Sequence, residues 1–139
     1  MNHLLLFFPL SFLLSVSLLA EEPTVATFSI VAVDRETGEL GVAVQSKIVG
    51  VGSIVPFARA GVGAIATQAY ANVNYGPAGL LLLKSGMGPV ECIQALTSHD
   101  RERDHRQLGM VSADGKSAYY TGHACSEWAG GRAGDGYAV

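Results

Sequence analysis

An α+β fold is what this sequence predicts, on three observations. Two hairpin patterns occupy the two halves of the body of the chain. A pair of short helical segments, each with a proline in its first turn, lies between them. No repeat or linker divides the 139 residues, so the elements belong to at most one modest domain.

The elements follow in order. From Thr27 to Val33, Phe28, Ile30 and Ala32 alternate with Thr27, Ser29 and Val31, the period of a strand. The charged run from Asp34 to Glu39 contains Gly38 and reads as a turn. A second strand over 40–46 sets Leu40, Val42 and Val44 on one face and Gly41, Ala43 and Gln45 on the other. If Asp34 faces Glu39, Thr27 stands opposite Ser46 and beside Lys47; a slip of one residue would turn the faces over. A short extended piece over 53–55 ends at Pro56, and 61–67 reads as another strand. A polar loop follows from Gln68 to Tyr75. Pro77 fits the first turn of a helix that ends near Gly86, and Pro89 opens a second with Val90, Ile93 and Leu96 on one face. The segment 99–106 is charged and reads as solvated. Strands over 107–112 and 116–121 are joined through Asp114-Gly115, a strong hairpin signal. Beyond Gly122 the chain is glycine-rich, and 136–139 reads as the entrance to another strand, as in a chain truncated at its C-terminus.

Composition narrows the function classes. Apolar residues make up 49 % of the chain, but much of this lies in the leader. Residues 4–20 carry no charge, and the apolar run Leu4–Leu14 is broken by Pro9 and followed by Ser15 and Ser17. That run is shorter than the roughly 20 residues needed to span a bilayer, and it matches the core of a secretion signal. The expectation is a signal peptide over 1–20, with cleavage after Ala26 as the competing junction because Thr24 and Ala26 then hold the −3 and −1 positions. An uncleaved N-terminal anchor is the alternative. Cleavage would leave no stable membrane anchor and a secreted or periplasmic protein. With Glu21 and Glu22 set aside, ten acids of the 12 remain against nine bases, so the body offers no basic surface for nucleic acid.

Cys92 sits in an apolar helical pattern and reads as core; whether it pairs with Cys125 after export stays open. The cysteine and histidine spacing gives no metal site, and no cofactor is expected. His99, Asp100, Asp104 and His105 read as a charged helix end. Gly61, Gly63 and Ala66 match a dinucleotide fingerprint by letter only, since a strand follows where a helix is required. Trp128 reads as a buried anchor for the glycine-rich segment, with sugar stacking as the alternative.

Several blocks, in order, carry a resemblance. They are Thr27-Phe28-Ser29-Ile30-Val31-Ala32, then Gly38 to Ser46, then Gly61 to Asn72, then Tyr75-Gly76-Pro77. Tyr120-Thr121-Gly122, Cys125 and Trp128-Ala129-Gly130 complete the set. Together they resemble the domain-of-unknown-function family numbered 1028, assigned to the N-terminal-nucleophile hydrolase fold, over essentially everything after residue 26. The resemblance implies a domain over 27–139 with a four-layer αββα sandwich. It also implies relatedness to amidohydrolases whose first mature residue is the nucleophile. The family usually carries His where Gly131 stands, and its members continue beyond Val139.

The resemblance gives Thr27 a role. Such a hydrolase attacks a carbonyl with the side chain of its first residue and uses that residue's own α-amine as base, a task suited to an amine pKa of about 7.7–8.0. Cleavage after Ala26 would free Thr27. Ser46 lies across the hairpin, and the ammonium of Lys47 would lower the amine's pKa. Arg59, Gln68 and Asn72, with Asn74, flank strand ends and are candidates to bind a polar or carboxylate substrate, or to donate to an oxyanion; turn chemistry is the alternative for both Asn residues. The expected substrate is a small amide or peptide, cell-wall fragments included. A non-catalytic binding module on the same sandwich, or an inactive fragment, is the rival expectation. The mature N-terminus separates enzyme from binder.

Overall fold

The computed structural model describes residues 26–139. The predicted leader over 1–20, with the junction after Ala20, lies outside the described residues. Ala26, at the competing junction, is exposed.

Strands β1 (Phe28–Val33) and β2 (Leu40–Gln45) form the first hairpin. Phe28 pairs with Gln45 and Val33 with Leu40, the register that the turn predicts. Asp34 N–H donates to the Glu39 carbonyl at 2.8 Å, and the Asp34 carboxylate accepts from the N–H groups of Glu36 and Thr37. Gly38, at φ 75°, supplies the left-handed step that closes the turn.

The second sheet has the order β3 (Pro56–Arg59), β4 (Gly63–Ala69), β5 (Arg106–Ser112), β6 (Ser117–Thr121), antiparallel throughout. The extended piece expected over 53–55 is replaced by a 3₁₀ turn at Val51–Ser53, and the strand begins at Pro56. Proline is tolerated there because β3 is an edge strand and Pro56 is its first residue. At the far end of the chain β7 (Ala133–Gly134) and β8 (Tyr137–Ala138) make a short hairpin. β8 pairs with β1, so the first sheet has the order β2-β1-β8-β7.

Helices α1 (Tyr75–Lys84) and α2 (Pro89–Ser98) cover the outer face of the second sheet. Their shared core contains Ile65, Leu80, Leu83, Cys92, Leu108 and Met110. In α2 the buried face centres on Cys92, Ile93 and Thr97, and Val90, expected inside, is exposed. The backbone of α1 approaches the sheet closely at Gly76, where a Cβ would lie 2.2 Å from the Phe57 ring.

The inner faces of the two sheets pack on each other through Val31, Val33, Val55, Ala64, Ala66, Val111 and Ala138. The described residues therefore form three layers: helices, sheet, sheet. No described helix covers the outer face of the first sheet, where Phe28, Gly41, Ala43 and Gln45 are exposed and Ile30 and Ala32 half-buried. Among the described residues β2 pairs on one side only.

One charged segment departs from its expectation. Asp100 and Arg106, predicted to be solvated, are only 12 % and 16 % exposed and meet at 2.9 Å. Asp100 also accepts from the Tyr75 hydroxyl at 2.6 Å and from the Glu102 N–H at 2.8 Å. It ties the start of α1 to the loop after α2 and to the start of β5. The Arg106 guanidinium and the Tyr75 hydroxyl hold its carboxyl well below the usual range, while burial and the neighbouring carboxylate push the Tyr75 phenol up.

Candidate functional site

Each inward strand face changes character along its length. On β1 the inward residues run from Val33 and Val31 to Ser29, with Thr27 just beyond. On β4 they run from Ala64 and Ala66 to Gln68, on β5 from Val111 through Gly109 to Gln107, and on β6 from Ser117 through Tyr119 to Thr121. The antiparallel pairing brings the polar ends of β4, β5 and β6 together, with Gln68 opposite Gln107 and Gln107 opposite Thr121. Facing them across the inter-sheet space is the N-terminal end of β1. A cleft of about 450 Å³ opens there.

Thr27 lines this cleft, and its Oγ1 lies 2.9 Å from Ser46 Oγ. Ser46 Oγ also accepts the Ile48 N–H at 3.1 Å, which orients the hydroxyl across the hairpin. Gln68 Nε2 donates to Ser29 Oγ in a buried hydrogen bond. Gln107 Nε2 donates to Thr121 Oγ1 at 3.1 Å and to the Gly130 carbonyl at 2.9 Å, which pins the glycine-rich segment to β5. Ala69, next to Gln68, also lines the cleft and has φ 59°. For a residue with a Cβ this left-handed conformation costs about 1 kcal/mol or more, and such strain is concentrated at functional sites.

Of the residues expected at a site, Thr27 and Gln68 line the cleft, and Ser46 joins them through its contact with Thr27. Lys47 follows Ser46 but is not part of the cleft wall. Arg59 pairs with Gly63, at the opposite end of β4 from Gln68, and does not line the cleft. Asn72 also lies away from it: its Oδ1 accepts the Asn74 N–H at 3.1 Å and its Nδ2 reaches Asp100 at 3.4 Å. Trp128 is no buried anchor. It is 64 % exposed and stands on the cleft rim with Phe28, Ile48 and Tyr119. Gly131 lies against Tyr119, and a Cβ there would meet that ring at 2.7 Å and the Val139 carbonyl at 2.6 Å. Sequence reasoning did not find Ser29, Gln107, Tyr119, Thr121 or Arg132. The signal for four of them was the shared switch from small or apolar to polar and aromatic residues at one end of the inward faces; Arg132 gave none.

Cys125 lines the cleft as a half-buried free thiol. Cys92 is free and wholly buried, and burial pushes its thiol up to about 11. No cluster of three or more potential metal ligands occurs among the described residues.

The architecture defines a class: an α+β protein in which two antiparallel four-stranded sheets face each other and open at one end into a cleft of hydroxyl and amide side chains. Within that class the chain belongs to the family of unknown function DUF1028, whose model matches residues 27–139. It is similar to the crystal structure of a Silicibacter pomeroyi protein of the same family, at 30 % identity and a TM-score of 0.78. The match covers 83 % of this chain and 51 % of that one, so the chain spans about half the length of that relative. No curated protein matches it.

Proposed function

We propose that this chain is an exported amidohydrolase of the N-terminal-nucleophile type, with Thr27 as nucleophile and a small amide or peptide as substrate. The observation that carries the reading is the Thr27 hydroxyl, set in the cleft wall 2.9 Å from Ser46 Oγ. The start of the family match at Thr27 agrees with it. The αββα sandwich of such hydrolases would place its second helical layer on the outer face of the first sheet.

The chemistry requires the peptide bond between Ala26 and Thr27 to be cut, since a backbone amide cannot serve as a base. Removal of the leader during export to the periplasm or the medium would accomplish this. The freed amine then takes the Thr27 hydroxyl proton as Oγ1 attacks the substrate carbonyl. The C–N bond breaks, the leaving amine carries that proton away, and an ester on Thr27 remains for water to hydrolyse. Ser46 holds the hydroxyl in place. Lys47, next in the chain, would lower the pKa of the amine. Gln68 has a second N–H on Nε2 beyond the one given to Ser29, and is the donor suited to the oxyanion.

N-terminal sequencing of the exported protein, followed by an acylating β-lactone probe, tests the reading. The expected result is a chain that begins at Thr27 and is acylated there, with labelling lost in Thr27→Ala and retained in Thr27→Ser. A mature chain that stably begins at Glu21, with Thr27 unlabelled, would favour the non-catalytic binding module.

A further inference from the structure

We infer that the cleft takes a mono-anionic ligand: a carboxylate-bearing amide with a flat apolar group, its carboxylate held by Arg132 and its ring laid on the rim formed by Trp128 and Tyr119. The amide in this description rests on the amidohydrolase reading; the carboxylate and the ring do not.

The charge of the wall carries the first half. Among the described residues the cleft is lined by hydroxyl, amide, aromatic, aliphatic and small side chains and the Cys125 thiol, with a single ionic side chain, Arg132, and no acidic side chain. Arg132, Arg59 and Arg101 make no ion pair among the described residues, and of these three Arg132 alone lines the cleft. One guanidinium on a neutral wall matches one carboxylate, which it can grip with two parallel hydrogen bonds. A phosphate ester would bring more charge than this one guanidinium balances, and a cationic ligand would meet the Arg132 charge and no carboxylate side chain among the described residues.

The rim carries the second half. Phe28, Ile48, Tyr119 and Trp128 are all large, at least 47 % exposed and part of the same wall. Exposed aromatics around a concave site offer stacking area to a planar group. Ala129, Gly130 and Gly131 separate Trp128 from Arg132 and place nothing larger than a methyl group between them. The Gln107 bond to the Gly130 carbonyl fixes this segment relative to β5, so ring platform and cation are held on one frame. The volume of about 450 Å³ lies in the range of roughly 300–1,000 Å³ usual for small-molecule sites.

Trp128 is the chain's only tryptophan, so its fluorescence reports occupancy of the rim without any turnover. The exported protein and its Thr27→Ala variant are titrated with three probes: N-benzoylglycine, its neutral amide N-benzoylglycinamide, and N-acetylglycine. The benzoyl acid should give a saturable change in both proteins. The neutral amide and the ringless acid should each bind about tenfold more weakly or worse. Arg132→Gln should bring the benzoyl acid down to the level of its amide, and Arg132→Lys should restore part of the difference. Equal binding of acid and amide, indifference to Arg132→Gln, or no saturable change with the benzoyl acid would overturn the inference. Because binding is read in Thr27→Ala, a failed hydrolase reading leaves this result standing, and the converse also holds.

Discussion

The two ends of the space between the sheets are built from the same four long strands in one register, and they do opposite things. At one end Val31, Val33, Ala64 and Val111 close on each other with Val55 and Ala138. At the other, Ser29, Gln68, Gln107 and Thr121 occupy equivalent inward positions, and the sheets part around a cleft. Strand pairing does not separate the two, because it is continuous along β4 and β5 from Gly63 to Ala69. Side-chain chemistry does. Apolar side chains gain by leaving water, whereas hydroxyls and amides must each find a partner before they can be buried. One end of the seam therefore provides stability, and the other uses part of that stability to hold polar groups in fixed positions.

Substitutions can break or sharpen this contrast. The largest expected effect is at the closed end: Val31→Ala should lower the free energy of unfolding by about 2 kcal/mol through lost burial and a cavity, read from the midpoint of a denaturant melt. Away from the seam, the Asp100 tether should show in the pH dependence. Its carboxyl is lowered in the folded state, so its contribution is fully present above the unfolded value of about 3.9 and is lost as pH falls towards the folded one. Asp100→Asn should therefore cost about 1–2 kcal/mol at neutral pH and flatten the acid limb of a stability profile. At the open end Gln68→Leu alone should cost about 1 kcal/mol by leaving Ser29 Oγ unpaired, while Ser29→Ala combined with Gln68→Leu should return close to the parent stability. If the double variant is as unstable as Val31→Ala, both ends of the seam are structural and the contrast fails. The smallest effect concerns Thr67, whose buried Oγ1 has no hydrogen-bond partner among the described residues. Thr67→Val should be neutral or gain up to about 1 kcal/mol in the same melt.

What the sequence made legible was local. The position of Thr27 opposite Ser46 followed from turn chemistry, since Asp34, Gly38 and Glu39 left little choice of register. The proline-started α2 and the Asp114-Gly115 hairpin were legible for the same reason. The site was legible only in part because its remaining residues are joined by sheet order and sheet packing, which periodicity does not encode. Arg59 sits at a strand end, as expected, but antiparallel pairing of β3 with β4 sends it to the end away from Gln68. Arg132 reaches the cleft because β7 and β8 fold back beside β1, a contact across about a hundred residues that nothing in the glycine-rich segment announces. Asp100 and Arg106 read as solvated because a run of charges carries no mark of the two that pair with each other.

The turn from Asp34 to Glu39 lies at the far end of β1 from the cleft, yet its length decides what stands across from Thr27. Antiparallel pairing has a parity. One residue more or fewer in that turn would offer Gln45 or Lys47 in place of Ser46 and would ask β2 to exchange its two faces. Two residues would restore the faces but present Val44 or Ile48, neither of which has a hydroxyl. An insertion or deletion there is thus a mutation of the cleft made from a distance. A lineage that keeps the Thr27–Ser46 contact is free to vary the exposed side chain of Glu36, and the surface charge with it, while Asp34, Gly38 and the number of residues in the turn stay constant.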